Sequence, residues 1–477
     1  VKRALALWTI AAGCAAPAAP HRATAPPADV AWSCDVAVAD DLSRLAVTMS
    51  FRGAPPARLV LGDARGLAAI ARLHAAPPTS SESFGRDADG FALSGVPDDA
   101  TVTYSVDLGR LADDGAATRV GECICADPGA WLLRPDPLPA GAAAALVLHL
   151  PDGAQATVPW PRRADGAFLL GPTAFRWRAF AAFGRLETHA VEAAGATLDV
   201  AVLDRPHAAT WPGIESWIVA AARAQSSLWG AFPVPRAQIV VKPVSSDQAV
   251  AFGETLRGGG PAVVLRLAGD AADDALADDW VAVHEFTHLG MPAMPDADAW
   301  LSEGLVTYWQ CVLRARAGLV DERAAWQELV TGLARGRAAH GKAALAAESA
   351  AMDGAHSHPA VYWAGAAVGL LLDVELRRSS GGARSLDDAM REIRRAFAGR
   401  ASSVPAAEIL AHLDAWHGRP LFRDVTRRLL ASSEFPATAE TLARLGVVVA
   451  PDGRVTALDD AAPDAGVRRA IMARAGD

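Results

Sequence analysis

His284 and His288 stand four residues apart with Glu285 beside the first, and Glu303 follows His288 after a gap of 14 residues. On a helix, positions i and i+4 share one face, so both imidazoles can grip a single ion. A hydrolytic zinc centre takes three protein ligands and leaves one position open. Two histidines need a third partner, and Glu303 is the nearest candidate. The stretch from Gly290 to Pro295 contains two prolines and breaks the first helix. A turn there folds a second helix back and presents Glu303 to the same ion. Glu285 can then reach the reacting water without occupying a coordination position, which is the place of a general base. Ala282, Val283, Phe286 and Leu289 wrap the motif in apolar side chains. That suits a half-buried helix better than a solvated one.

The motif from His284 to His288, taken with the stretch from Trp300 to Tyr308, resembles the gluzincin metallopeptidases of the peptidase MA group. The aminopeptidase N and glycyl aminopeptidase families are the most similar. A second match runs from Val361 to Ala366 and on through Leu370 to Arg377. It is similar to the family helix that carries a transition-state tyrosine in Tyr-x-x-Gly. The resemblance is specific over residues 275–395 and diffuse over 130–270. It implies one Zn2+ per chain on His284, His288 and Glu303, Glu285 as general base, and Tyr362 as donor to the oxyanion. It also implies that the last strand before the active-site helix borders the cleft. Aminopeptidase N relatives bind the free amine of the substrate with Gly-x-Met-Glu-Asn. Here the matching region runs from Ala251 to Gly260, and Glu254 is its one carboxylate. Glu254 is the candidate substrate-binding residue; amino-terminal and internal cleavage both stay open.

At 477 residues two or three domains are expected. The net charge of −9 and the lack of a dense basic run exclude nucleic acid as a partner. The amino end reads as an export signal. Lys2 and Arg3 precede the apolar stretch from Ala4 to Ala12, and the stretch from Ala11 to Cys14 resembles a bacterial lipoprotein processing site. Residues 1–13 are expected to be a signal peptide and 14–29 an Ala/Pro-rich tether. A lipid on Cys14 would hold the chain to the membrane of the cell envelope, and a periplasmic or secreted protein is the other outcome. In an exported chain, Cys34 can pair with Cys123 or Cys125, whereas Cys311 reads as a buried thiol.

The expected fold is an α+β multidomain chain. A β-rich, sandwich-like N-terminal domain covers 30–207, and a gluzincin, thermolysin-like α/β catalytic domain covers 208–310. A helical part over 311–435 completes the cleft, and 436–477 is a tail. Alternation at Leu198, Val200 and Val202 and the run from Ala145 to Leu150 support strands. Ile239 to Val244 and Ala262 to Leu267 read as strands as well. Ile214, Trp217, Ile218, Ala221 and Leu228 recur at helical spacing until Gly230. Ser385 to Asp388 has the pattern of a capping box. The function expected is zinc-dependent hydrolysis of a peptide or protein substrate. The competing class is a non-catalytic envelope lipoprotein that uses the same fold for binding. The presence of His284, Glu285, His288, Glu303 and Tyr362 together favours the enzyme.

Overall fold

The computed structural model describes residues 30–76, 83–139, 141–205 and 208–474. Cys14, the leader over 1–13 and the tether over 14–29 lie outside the described residues. Two large apolar cores organise the rest. One runs from Trp32 to Phe183 and is enclosed by a six-stranded sheet and two four-stranded sheets. The other runs from Val191 to Met472 and is mainly helical, built on one five-stranded sheet.

That sheet positions the site. Its order is Glu187–Ala193, Ala196–Val202, Arg236–Val244, Ala262–Ala268 and Val250–Leu256. The two inner junctions are parallel and the two outer ones antiparallel. Its inner strands are apolar on both faces, as parallel strands covered on both sides must be. Ile239, Val241, Val263 and Leu265 face the helices. Val240, Ala262 and Val264 face the other way, against Cys123, Cys125 and Ala182 of the N-terminal half.

Two placements differ from the sequence reading. The strands over 187–202 were expected with the N-terminal β-rich domain, but they pair into the five-stranded sheet. Alternation marks a strand and is silent on which sheet it joins. The strand bordering the cleft is the sheet's edge, Val250–Leu256, and not the last strand before the helix, Ala262–Ala268, which lies one place inward. The cysteine pairing is corrected too. Cys34, Cys123 and Cys125 are free and buried. Cys34 points into the first core, while Cys123 and Cys125 point into the seam against the five-stranded sheet, so their sulfurs never face each other. Burial pushes the Cys34 and Cys125 thiols up to about 12 and Cys123 to about 11, which leaves them protonated.

The described residues after 435 pack inward. Leu445 and Ile471 are fully buried in the helical core, and the carbonyl of Ile471 accepts from Arg316 Nε at 2.8 Å. The hairpin of Val447–Val449 and Val455–Leu458 is pinned by Gln327, which bonds Gly453 and Val455. Of the described helices, His358–Ser379 is long and apolar enough to cross a membrane, but most of it is buried inside the core.

Candidate active site

The helix Val281–His288 carries the paired histidines. Its start is fixed by Asp279, whose carboxylate accepts from the backbone N–H of Val281 and of Ala282, each at 3.0 Å. An acid there satisfies free N–H groups and opposes the positive end of the helix dipole. The helix Ala299–Arg316 folds back across it and brings in Glu303.

The three expected ligands meet. Glu303 Oε2 lies 3.3 Å from Nε2 of His284 and 3.3 Å from Nε2 of His288, and the two Nε2 atoms are 3.2 Å apart. Tetrahedral ligation with bonds of about 2.0–2.1 Å puts donor atoms about 3.3 Å apart. The donor triangle therefore fits zinc both in chemistry and in spacing. Gln310 Oε1 sits 2.8 Å from His284 Nδ1. A proton on Nδ1 donated to that oxygen leaves the Nε2 lone pair aimed at the triangle.

Charge is settled by neighbours. Burial would raise the Glu303 carboxyl, but the imidazoles of His288 and His284 hold it well below the usual carboxylate range. Burial opposes a charge on His284 as well, yet its hydrogen bond with Glu303 and the charge of Glu285 leave it raised. Glu285 goes the other way. Burial raises its carboxyl, and His284 and His288 only partly offset the shift. A raised carboxyl is what a group that takes and returns a proton needs.

Glu285 stays off the donor triangle because the edge strand holds it. Thr255 Oγ1 donates to Glu285 Oε2 at 2.8 Å and is 2.9 Å from the Glu285 carbonyl. Gly253 permits the close approach. A Cβ at Gly253 would lie 2.4 Å from Glu285 Cγ and 2.7 Å from a Val281 methyl. Arg257 follows on the same stretch and donates to the carbonyls of His288 and Met291, tying the C-terminal end of the histidine helix to the strand.

Tyr362 reaches the cleft from the helix His358–Ser379, its ring stacked toward His284 with centroids 6.3 Å apart and planes 13° apart. Burial, then the charges of Glu303 and Glu285, push its phenol far above the ordinary range. It stays a proton donor at any neutral pH. The helix gets this close through glycine. A Cβ on Gly365 would sit 2.0 Å from the Trp300 carbonyl oxygen, and one on Gly304 2.3 Å from Gly365 Cα. Gly365 is the glycine of the Tyr-x-x-Gly pattern, and Gly304 adjoins Glu303.

Glu254 lines the same cleft. Its neighbours Gly253 and Thr255 face Glu285, and alternation turns Glu254 the other way. There its carboxylate binds Arg178 Nη1 at 2.6 Å, with Arg266 at 3.9 Å. His356 is exposed and His358 half-buried, its ring edge-on to Tyr362 at 6.2 Å, and neither lines the cleft. Thr307 is buried, and its hydroxyl bonds nothing among the described residues.

The cleft holds about 270 Å³. Phe252, 52% exposed, and Trp280, 42% exposed, form part of its wall. Large aromatics left in water beside a donor triangle suit an apolar substrate side chain. Sequence reasoning missed Thr255, Gly253, Arg257, Gln310 and these two aromatics. One signal was present for Gln310: it lies seven residues, two turns, after Glu303 and so on the same face.

Comparison with known proteins agrees with the geometry. Residues 291–368 match the model of the M61 glycyl aminopeptidase family. No curated protein sequence matches. An aminopeptidase N family protein from Idiomarina loihiensis superposes with a TM-score of 0.70 at 17% identity, covering 88% of this chain and 79% of that one. A mutant M1 zinc metallopeptidase from Deinococcus radiodurans, bound to a Tyr-ser-ala substrate, gives 0.55 at 15% identity over 85% of this chain and 95% of that one. Yeast LTA4 hydrolase in complex with bestatin gives 0.51 at 12% identity, over 84% and 66%. At these identities the structural likeness is one of fold. With the family match it supports a gluzincin-like peptidase.

Proposed function

We propose that this chain, a divergent gluzincin-like peptidase, hydrolyses peptide bonds with one zinc ion held by His284, His288 and Glu303. The observation that carries the reading is the donor triangle, with sides of 3.2–3.3 Å and Glu285 and Tyr362 on the same cleft. When bound, zinc supplies a Lewis acid that polarises the scissile carbonyl and makes water acidic enough to attack near neutral pH. Glu285 takes the proton of that water at its carboxylate, steadied by Thr255, and returns it to the leaving amine. Tyr362 donates its phenol proton to the oxyanion developing at the attacked carbonyl. The aromatic faces of Phe252 and Trp280 orient an apolar substrate side chain. A free substrate amine at Glu254 would compete with the Arg178 guanidinium.

The test is metal content together with peptide cleavage. The wild-type chain is expected to carry one zinc and to cut a mixed peptide library. His288→Ala is expected to keep its fold, since the core around the helix is large, and to lose both metal and cleavage. Full zinc occupancy in His288→Ala would overturn the ligand assignment. A zinc-loaded wild type that cuts no peptide would leave a binding protein.

Tyr362→Phe separates transition-state stabilisation from packing. It removes one hydroxyl and almost no volume. The expected result is a fall in kcat of roughly a hundredfold, about 3 kcal/mol, with KM nearly unchanged. A raised KM with intact kcat would make Tyr362 a substrate-binding residue instead.

A further inference from the structure

The cleft does not end at the donor triangle. Glu254, Thr255, Arg257, His288 and Glu303 line it and also line a second hollow of about 420 Å³ beside it. Trp177 and Arg178 line that hollow and also a third, of about 470 Å³, on the N-terminal half. The three share walls in turn, from the catalytic residues onto the N-terminal half. The shared walls are firmly held. Gly258 N donates to the Arg178 carbonyl at 2.9 Å, and Trp177 Nε1 donates to the Ala401 carbonyl at 3.2 Å.

The third hollow differs in charge from the chain as a whole. The protein carries −9, yet Arg65, Arg134, Arg176 and Arg178 line this recess against Asp63 and Asp127. Asp63 is spent on Arg65, at 2.6 Å. Asp127 accepts from the backbone N–H of Gly129 at 2.9 Å and lies 3.5 Å from Arg178. Among the described residues Arg134 and Arg176 have no carboxylate partner. Arg134 bonds the Pro135 carbonyl at 3.4 Å, and its buried Nε bonds nothing. A buried guanidinium N–H without an acceptor is costly, and a carboxylate is the acceptor that matches its planar fork.

Resting on the peptidase reading, we propose that this recess is an outer substrate subsite for carboxylate side chains. An extended peptide with its cut bond at His284, His288 and Glu303 carries an acidic residue beyond Arg178, held by Arg134 and Arg176. On a chain of net negative charge such a peptide is otherwise repelled, so the local cations select it.

The experiment uses the full-length Glu285→Gln chain loaded with zinc, and two fluorescein-labelled peptides that share one cleavable core. One is extended by glutamates and the other by glutamines, in versions extended on either side of the core. Binding is read by anisotropy. The glutamate peptide is expected to bind about tenfold more tightly in one of the two versions. Arg176→Gln, at an exposed position, and Arg134→Gln are each expected to shrink that preference. Equal affinity for the two peptides, or a preference that survives both substitutions, overturns the subsite. Cleavage of the same peptides by the parent chain is scored apart. Selective binding without cleavage supports the recess and removes the peptidase reading. Equal binding with cleavage removes the recess and supports the peptidase.

Discussion

Glu285→Gln is expected to lower kcat/KM by about a thousandfold, close to 4 kcal/mol of transition-state stabilisation, and to leave the zinc content unchanged. The amide has the shape of the carboxylate but cannot accept the proton of water. Its position is set by Thr255 and by the bare backbone of Gly253, neither of which is a metal donor. The donor triangle of His284, His288 and Glu303 therefore stays whole. Metal analysis and steady-state kinetics on one purified sample decide the matter. Turnover near the wild-type rate would remove Glu285 from the mechanism. Loss of zinc together with activity would instead make it part of the metal set.

Gly365→Val is expected to cost about 3 kcal/mol or more of stability and most of the activity. The new Cβ would fall 2.0 Å from the Trp300 carbonyl oxygen, and the obstacle is backbone, which cannot rotate away. The Tyr362 helix must then back off the Glu303 helix. A displacement of about 1 Å at the reacting groups is enough for a hundredfold loss of rate. Gly369→Ala is the control on the same helix. The nearest atoms its Cβ would meet are side-chain atoms of Leu305 and Tyr308, at 3.3–3.4 Å, and the gain in helix propensity offsets the crowding to within about 1 kcal/mol. Urea unfolding midpoints compare the two. An unchanged midpoint for Gly365→Val would mean that the helices do not cross as closely as described.

The parts of the site legible in the sequence are those written in short-range spacing. His284, Glu285 and His288 occupy one helical turn, and the proline-rich break fixes where the next helix begins, so Glu303 could be named. The capping box at Ser385 and Asp388 was legible for the same reason and forms as read. The edge strand was not legible. Gly253 and the run from Gly258 to Gly260 each mark a place where another backbone or side chain presses close, which spacing does not announce: Glu285 at Gly253, and Pro159, Trp160 and Arg178 at the run. Arg178 meets Glu254 from 76 residues away, and no local pattern announces such a partner. Gln310 shares the face of Glu303 by spacing, but its contact with His284, 26 residues away, comes only with the fold.

The seam between the two halves has a consequence for dissection. The catalytic sheet keeps an apolar second face, with Ala201, Leu203, Val240, Leu256, Ala262 and Val264 packed on Cys123, Cys125 and Ala182. A fragment cut at residue 208 loses two of the five strands and bares that face to water. It also loses Trp160, whose indole donates to the Gly258 carbonyl at 3.1 Å and steadies the loop beyond the edge strand. The N-terminal half is thus neither a spacer nor a detachable accessory. It covers the far face of the sheet whose edge strand walls the catalytic cleft, and the smallest unit that can be excised with the active site intact includes it.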